Sequence, residues 1–200
     1  MAPKRKPKCS IKMIRHWTEI ESGDCLFKDT DMNDKGKPLF MRIVNEITSI
    51  FQSIEDRKLQ DGDDHSEFLC WNGSILETHS SVYGSGVRSM NFVRWCEREG
   101  LPNVVILRPS TGLDSTEVEM IHQMMAELRG IEYNLKRAIN SRLGKDTDDS
   151  IEAGLFCSEI TLLLAGFQNW LKKWPREARE MMIEDGYFVI FEGEAKDLLG

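Results

Sequence analysis

The chain has 200 residues, 40% of them hydrophobic and 30% charged, with a formal net charge of -7. That length suits one domain or two small ones and buries a real core, and so high an apolar fraction excludes a disordered chain. No apolar run approaches the ~20 residues of a membrane span, no apolar leader follows Met1, and the five cysteines form no C-x-x-C pair and no disulfide framework. A protein of the cytoplasm and/or nucleus is expected, not a secreted one.

Charge is unevenly distributed. Residues 1–10 carry Lys4, Arg5, Lys6 and Lys8 with no acid, so they contribute +4 and leave -11 on the rest. Pro3 and Pro7 keep this tail out of any helix. A short, Pro-spaced basic string reads as a nuclear-import signal, or as an arm for nucleic acid or anionic lipid. Four charges support only weak, salt-sensitive phosphate contact, and the acidic body repels polyanions.

Residues 11–20 are ambiguous between strand and helix; the Ser22-Gly23-Asp24 turn before Cys25-Leu26-Phe27 favours a short hairpin. Pro38 opens a helix with Phe40, Ile43, Val44, Ile47, Ile50, Phe51 and Ile54 on one face. The acidic stretch 61–67 is expected in solvent. Phe68-Leu69-Cys70-Trp71, Asn72-Gly73 and Ser74-Ile75-Leu76 predict a hairpin, because Asn-Gly supplies the positive φ angles of a tight turn. A helix is expected over 87–99, stopped by Gly100, and a buried strand over 104–107 between Pro102 and Pro109.

In the second half, Asp114 and Glu117 form a capping-box variant. Val118, Ile121, Met125, Leu128, Leu135 and Ile139 continue a stripe that, unbroken to Leu143, makes a helix of about 28 residues and ~42 Å. A further helix is expected over 151–174, a short one from Pro175, and a last strand over 187–191. The fold class expected is therefore α+β: a small mixed α/β N-terminal half with short hairpins and two helices, packed on a helical C-terminal half with one long helix. In segments, that is the tail 1–10, a mixed lobe 11–112 and a mainly helical lobe 113–200, within one continuous globular unit.

Chemical signals are sparse. Gly84-Ser85-Gly86 with Arg88, ahead of the expected 87–99 helix, is the best anion-loop candidate, since backbone N–H groups at a helix start favour negative charge. It lacks the Walker lysine and the third glycine of a dinucleotide fingerprint. Asp185 with Glu194 and Lys196 has the residue types of a metal-dependent nuclease. His65, Cys70, His79 and Cys96 match no compact zinc spacing. No cofactor, metal or catalytic residue is assigned.

Binding features are better. Ile121, Met125, Leu128, Leu135 and Ile139 are candidates for self-association, and Trp170 and Trp174 flank Lys172 and Lys173 in an aromatic-basic corner. In gross layout the chain resembles small viral matrix or accessory proteins, an analogy of shape that covers no specific residues. The expectation is a non-enzymatic interaction or assembly protein with protein partners, forming a homo-oligomer. The tail would give weak contact with nucleic acid or anionic membrane. The alternatives are a metal-dependent nuclease or phosphate-binding enzyme, and a tail-assisted RNA-binding protein.

Overall fold

The computed structural model describes residues 12–29, 63–70, 73–81, 84–131, 154–155 and 157–200. The basic tail, the helix expected over 38–54, and Leu135 and Ile139 lie outside them. Six strands, β1 (Cys25–Asp29), β2 (Asp63–Cys70), β3 (Ser74–Ser81), β4 (Gly84–Asn91), β5 (Asn103–Pro109) and β6 (Tyr187–Glu194), form one sheet in the order β4-β3-β2-β1-β5-β6. Every neighbouring pair is antiparallel.

The sheet is covered on both faces. Against one lie Cys25, Phe27, Phe68, Leu76, Val105 and Leu107, packed under α2 (Ser115–Glu127), α3 (Cys157–Leu164) and α4 (Pro175–Glu184). Leu26, Leu69, Ile75, Val104 and Ile106 face the other way, onto α1 (Phe92–Glu99), Ile14, Ile20 and the C-terminal Ala195 and Leu198. Alternate side chains of a strand point to opposite faces. An unbroken apolar run such as Val104-Val105-Ile106-Leu107 is thus what a strand buried on both sides requires. Each Leu or Phe so buried contributes about 1.5–3 kcal/mol. No helix among the described residues is long and apolar enough to cross a membrane.

Several expectations are met. Strands occupy 104–107 and 187–191, Pro175 opens α4, and Gly100 ends α1 in the left-handed region at φ 75°. The Asp114 carboxylate accepts from the N–H of Thr116 and Glu117 while Glu117 accepts from the Asp114 N–H, which completes the capping box. The β2–β3 hairpin closes at Cys70↔Ser74, and Gly73 takes φ 62° with Trp17 so near that a Cβ there would meet its ring at 2.8 Å.

The helical C-terminal half with one long helix is overturned. Helix α2 ends at Glu127, and Gly130, at φ 81°, turns the chain. The Gly130 N–H then donates to the Val87 carbonyl and the Val87 N–H to the Ile131 carbonyl, so the chain docks on the edge strand β4. The second half also supplies β6, paired along its length with β5. The helix expected over 151–174 is the eight-residue α3, which ends before Trp170 and Trp174.

The first half is corrected too. Residues 87–91 belong to β4, and the helix begins at Phe92 because the Asn91 side chain accepts from the Val93 N–H. Ahead of Cys25 there is a 3₁₀ turn, Trp17–Glu19, instead of a hairpin arm. Glu67, expected in solvent, is fully buried in β2.

Candidate functional site

The sequence-predicted candidates are not brought together as one site. Gly84, Ser85 and Gly86 lie within β4, where no helix starts. Gly86 has a structural reason to be glycine: at φ 137° its Cβ would stand 3.1 Å from the Ile131 carbonyl oxygen. The Arg88 guanidinium is engaged by Glu77, Nε to Oε1 at 2.5 Å. Ile121, Met125 and Leu128 are buried in the chain's own core, so that stretch of the stripe faces inward. Lys196 pairs with its neighbour Glu194, whereas Asp185 precedes the other end of β6, on the order of 25 Å away at ~3.3 Å per residue. Trp170 packs at the core margin, and the Lys172 N–H and Lys173 carbonyl are held by Glu159 and Ser158 of α3.

Instead, the structure gathers charge beneath α1. Glu77, fully buried on β3, accepts from Arg98 through both oxygens (Nη1–Oε1 2.6 Å, Nη2–Oε2 2.5 Å) as well as from Arg88. Glu99 takes Lys28 at 2.5 Å and Arg98 at 2.8 Å, and the Trp95 indole N–H donates to buried Glu67 at 3.2 Å. Burial pushes the Glu77 carboxyl up, but Arg98 and then Arg88 outweigh it and hold the group below its ordinary value. Burial raises the Cys96 thiol to about 12, so Cys96 is not a reactive thiolate.

The Glu77 cluster sets a pH dependence. A carboxylate whose folded value is depressed stabilises above its unfolded value and loses that contribution as pH falls through the folded one. The thermal midpoint of the wild type is thus expected to exceed that of Glu77→Gln by a constant margin above about pH 5, narrowing as pH falls below about 4.3. A margin that is flat or widens with acid would rule this out.

A second ion pair ties the N-terminal segment to β5. Arg108 holds buried Asp24 with two parallel bonds (Nε–Oδ1 and Nη2–Oδ2, both 2.8 Å), reaches Glu21 at 3.0 Å, and donates to the Glu19 carbonyl at 2.7 Å. Burial pushes the Asp24 carboxyl up, against the pull of Arg108.

The cavity lies at the opposite end of β5 and β6 from Glu194. It holds about 330 Å³, where Pro109, Ser110 and Thr111 leave β5, Asp185 and Tyr187 enter β6, and Leu113, Glu117, Ala165 and Gly166 close the sides. The Pro109↔Tyr187 pairing assembles it from three distant stretches. Glu117 and Asp185 are the ionisable carboxylates among its lining groups, which include no Lys, Arg or His. Tyr187 packs its ring on Phe167 (centroids 6.2 Å), and burial, with Cys25, Asp185 and Asp24 adding to it, raises the phenol and keeps it protonated. No short motif announces this site, because its residues share only a place in the fold.

Comparison with protein-family models, with curated proteins and with solved structures finds no match for this chain.

Proposed function

We propose that the protein is a non-enzymatic interaction and assembly protein, self-associating, with its basic N-terminal tail as an address for the nucleus or an anionic surface. The observation that carries this reading is the division of charge, +4 on residues 1–10 against -11 on the remainder. An acidic body with a basic arm contacts polyanions through the arm and keeps its other surfaces for protein. The α2 helix supports the second part: with Ile121 and Met125 turned inward, its outer side carries Met120 at 57% exposure, the most exposed large hydrophobic side chain among the described residues.

Deleting residues 1–8 from a fluorescent fusion is expected to abolish nuclear or membrane accumulation; an unchanged distribution rejects the addressing role. Light scattering coupled to size exclusion is expected to show a mass that rises with concentration and falls again in Met120→Glu. A strict monomer at high concentration rejects self-association.

A further inference from the structure

We infer that His16 is a pH-sensitive clasp: its neutral ring closes the turn that seats the N-terminal segment on β6, and a charged ring opens it. This goes beyond the assembly role and does not rest on it. His16 is half-buried and caps the 3₁₀ turn Trp17–Glu19. Its Nδ1 accepts from the Thr18 N–H at 3.3 Å and stands 2.8 Å from the Thr18 hydroxyl. Glu19 closes the turn from the other side, its Oε1 accepting from the N–H groups of Arg15 (2.9 Å) and His16 (3.1 Å). Just ahead of this box the Ile14 N–H donates to the Ile190 carbonyl at 2.9 Å. The Ile14 side chain, 4% exposed, belongs to the same core cluster as Ile190 and Leu198. The bond is made to an edge strand of the sheet, and in sequence it follows the four cations of residues 1–10.

A ring nitrogen accepts a hydrogen bond only while it carries no proton, and histidine is the side chain whose charge ordinarily changes between about pH 5 and 8. A protonated Nδ1 keeps the Thr18 hydroxyl by reversing that bond, but it sets an N–H against the Thr18 N–H, donor to donor. The charged ring is also drawn to Glu19. That carboxylate then serves the imidazolium in place of the Arg15 and His16 N–H groups, so both halves of the box open together. Chiefly the Arg15 N–H holds the Glu19 carboxyl below its ordinary value, so Glu19 stays ionised across that range. The other charged groups around the ring are Lys12 and Arg15 of the segment itself and Lys196 and Asp197 of the C-terminal turn Ala195–Leu198, with the end of the chain at Gly200 against the Cδ2–Nε2 edge. None of these group types ordinarily changes charge in that range. The far end of the turn stays fixed, because Arg108 donates to the Glu19 carbonyl at 2.7 Å and Trp17 packs over Gly73. Opening is therefore local, and its consequence is release of Ile14 from β6.

The test is hydrogen exchange of the full chain, read by NMR at about pH 7.5 and about pH 5.5 and expressed as protection relative to an unstructured peptide at the same pH. Protection of the Ile14 amide is expected to fall about fivefold at the lower pH, the size of one lost cap, while the Val104 and Ile106 amides of the interior strand β5 keep theirs. His16→Asn, which caps without titrating, is expected to hold Ile14 protected at both values, and His16→Ala to leave it weakly protected at both. An Ile14 protection that does not change with pH in the wild type overturns the inference. So does a step that persists in His16→Asn or His16→Ala, which assigns the titration to another group. An equal fall at Val104 and Ile106 overturns it as well, since the whole fold and not the turn is then what acid loosens.

Discussion

Arg108→Leu is expected to lower the unfolding free energy by about 3–5 kcal/mol, the cost of removing one partner from a buried ion pair. Arg108 and Asp24 are 4% and 0% exposed, so neither charge has water to fall back on. In the variant the Asp24 carboxylate keeps the Glu21 N–H at 2.8 Å but loses both guanidinium bonds. The burial that already pushes this carboxyl up then acts with far less opposition. Asp24 must take a proton or carry its charge into the core, and the Glu19 carbonyl loses its donor as well. Urea denaturation followed by circular dichroism gives the number, and a loss under about 1 kcal/mol would show that the pair is not what anchors this segment. The double change Asp24→Leu with Arg108→Leu separates the penalty for an orphaned charge from the worth of the pair. Because an apolar replacement of both partners is often close to neutral, the double variant is expected to recover part of the single variant's loss.

The elements legible in the sequence are those whose cause is local. The Asp114–Glu117 box, the Pro175 helix start, the Gly100 stop and the turn at Gly73 each depend on residues within a few positions of one another. The 104–107 strand was legible from its apolar run between prolines. What escaped depends on contacts distant in sequence. Gly84-Ser85-Gly86 reads as a loop, yet it is strand, because β3 pairs with it and the Ile131 carbonyl comes within reach of Gly86. The stripe through Ile121, Met125 and Leu128 reads on past Gly130 in sequence, but the glycine lets the chain turn onto β4. Buried charges are the hardest case. Asp24, Glu67 and Glu77 look like solvated acids in any local window, and donors from distant stretches, Arg108, Trp95 and Arg98 among them, make their burial tolerable. The cavity is hidden likewise: Tyr187 was legible as strand, but its place beside Ser110 and Glu117 follows from the β5–β6 register.

Trp95→Ala is expected to cost about 3–5 kcal/mol, the range for deleting a large aromatic side chain from a core. Trp95 is fully buried, stacks on Phe92 (centroids 6.1 Å, planes 17° apart) and joins α1 to the sheet face that carries Leu26, Leu69 and Ile75. Its removal opens a cavity beneath α1 and withdraws the indole donor from buried Glu67, so two penalties coincide. Trp95→Phe separates them. It keeps most of the apolar volume and the stacking partner but has no N–H, so about 1–3 kcal/mol is expected from withdrawing one donor from the buried Glu67 carboxylate, together with a smaller packing loss. With five tryptophans in the chain, fluorescence would change with the substitution itself, and circular dichroism in urea is the cleaner reading. If Trp95→Phe matches the wild type while Trp95→Ala shows the full loss, Trp95 acts by volume alone and its bond to Glu67 contributes nothing measurable. If the two variants lose equally, the hydrogen bond to Glu67 dominates and the carboxylate, not the ring, sets how α1 sits on the sheet. The geometry favours the intermediate result. The indole N–H reaches Glu67 at 3.2 Å, a long bond for a buried carboxylate, whereas the ring is enclosed on every side.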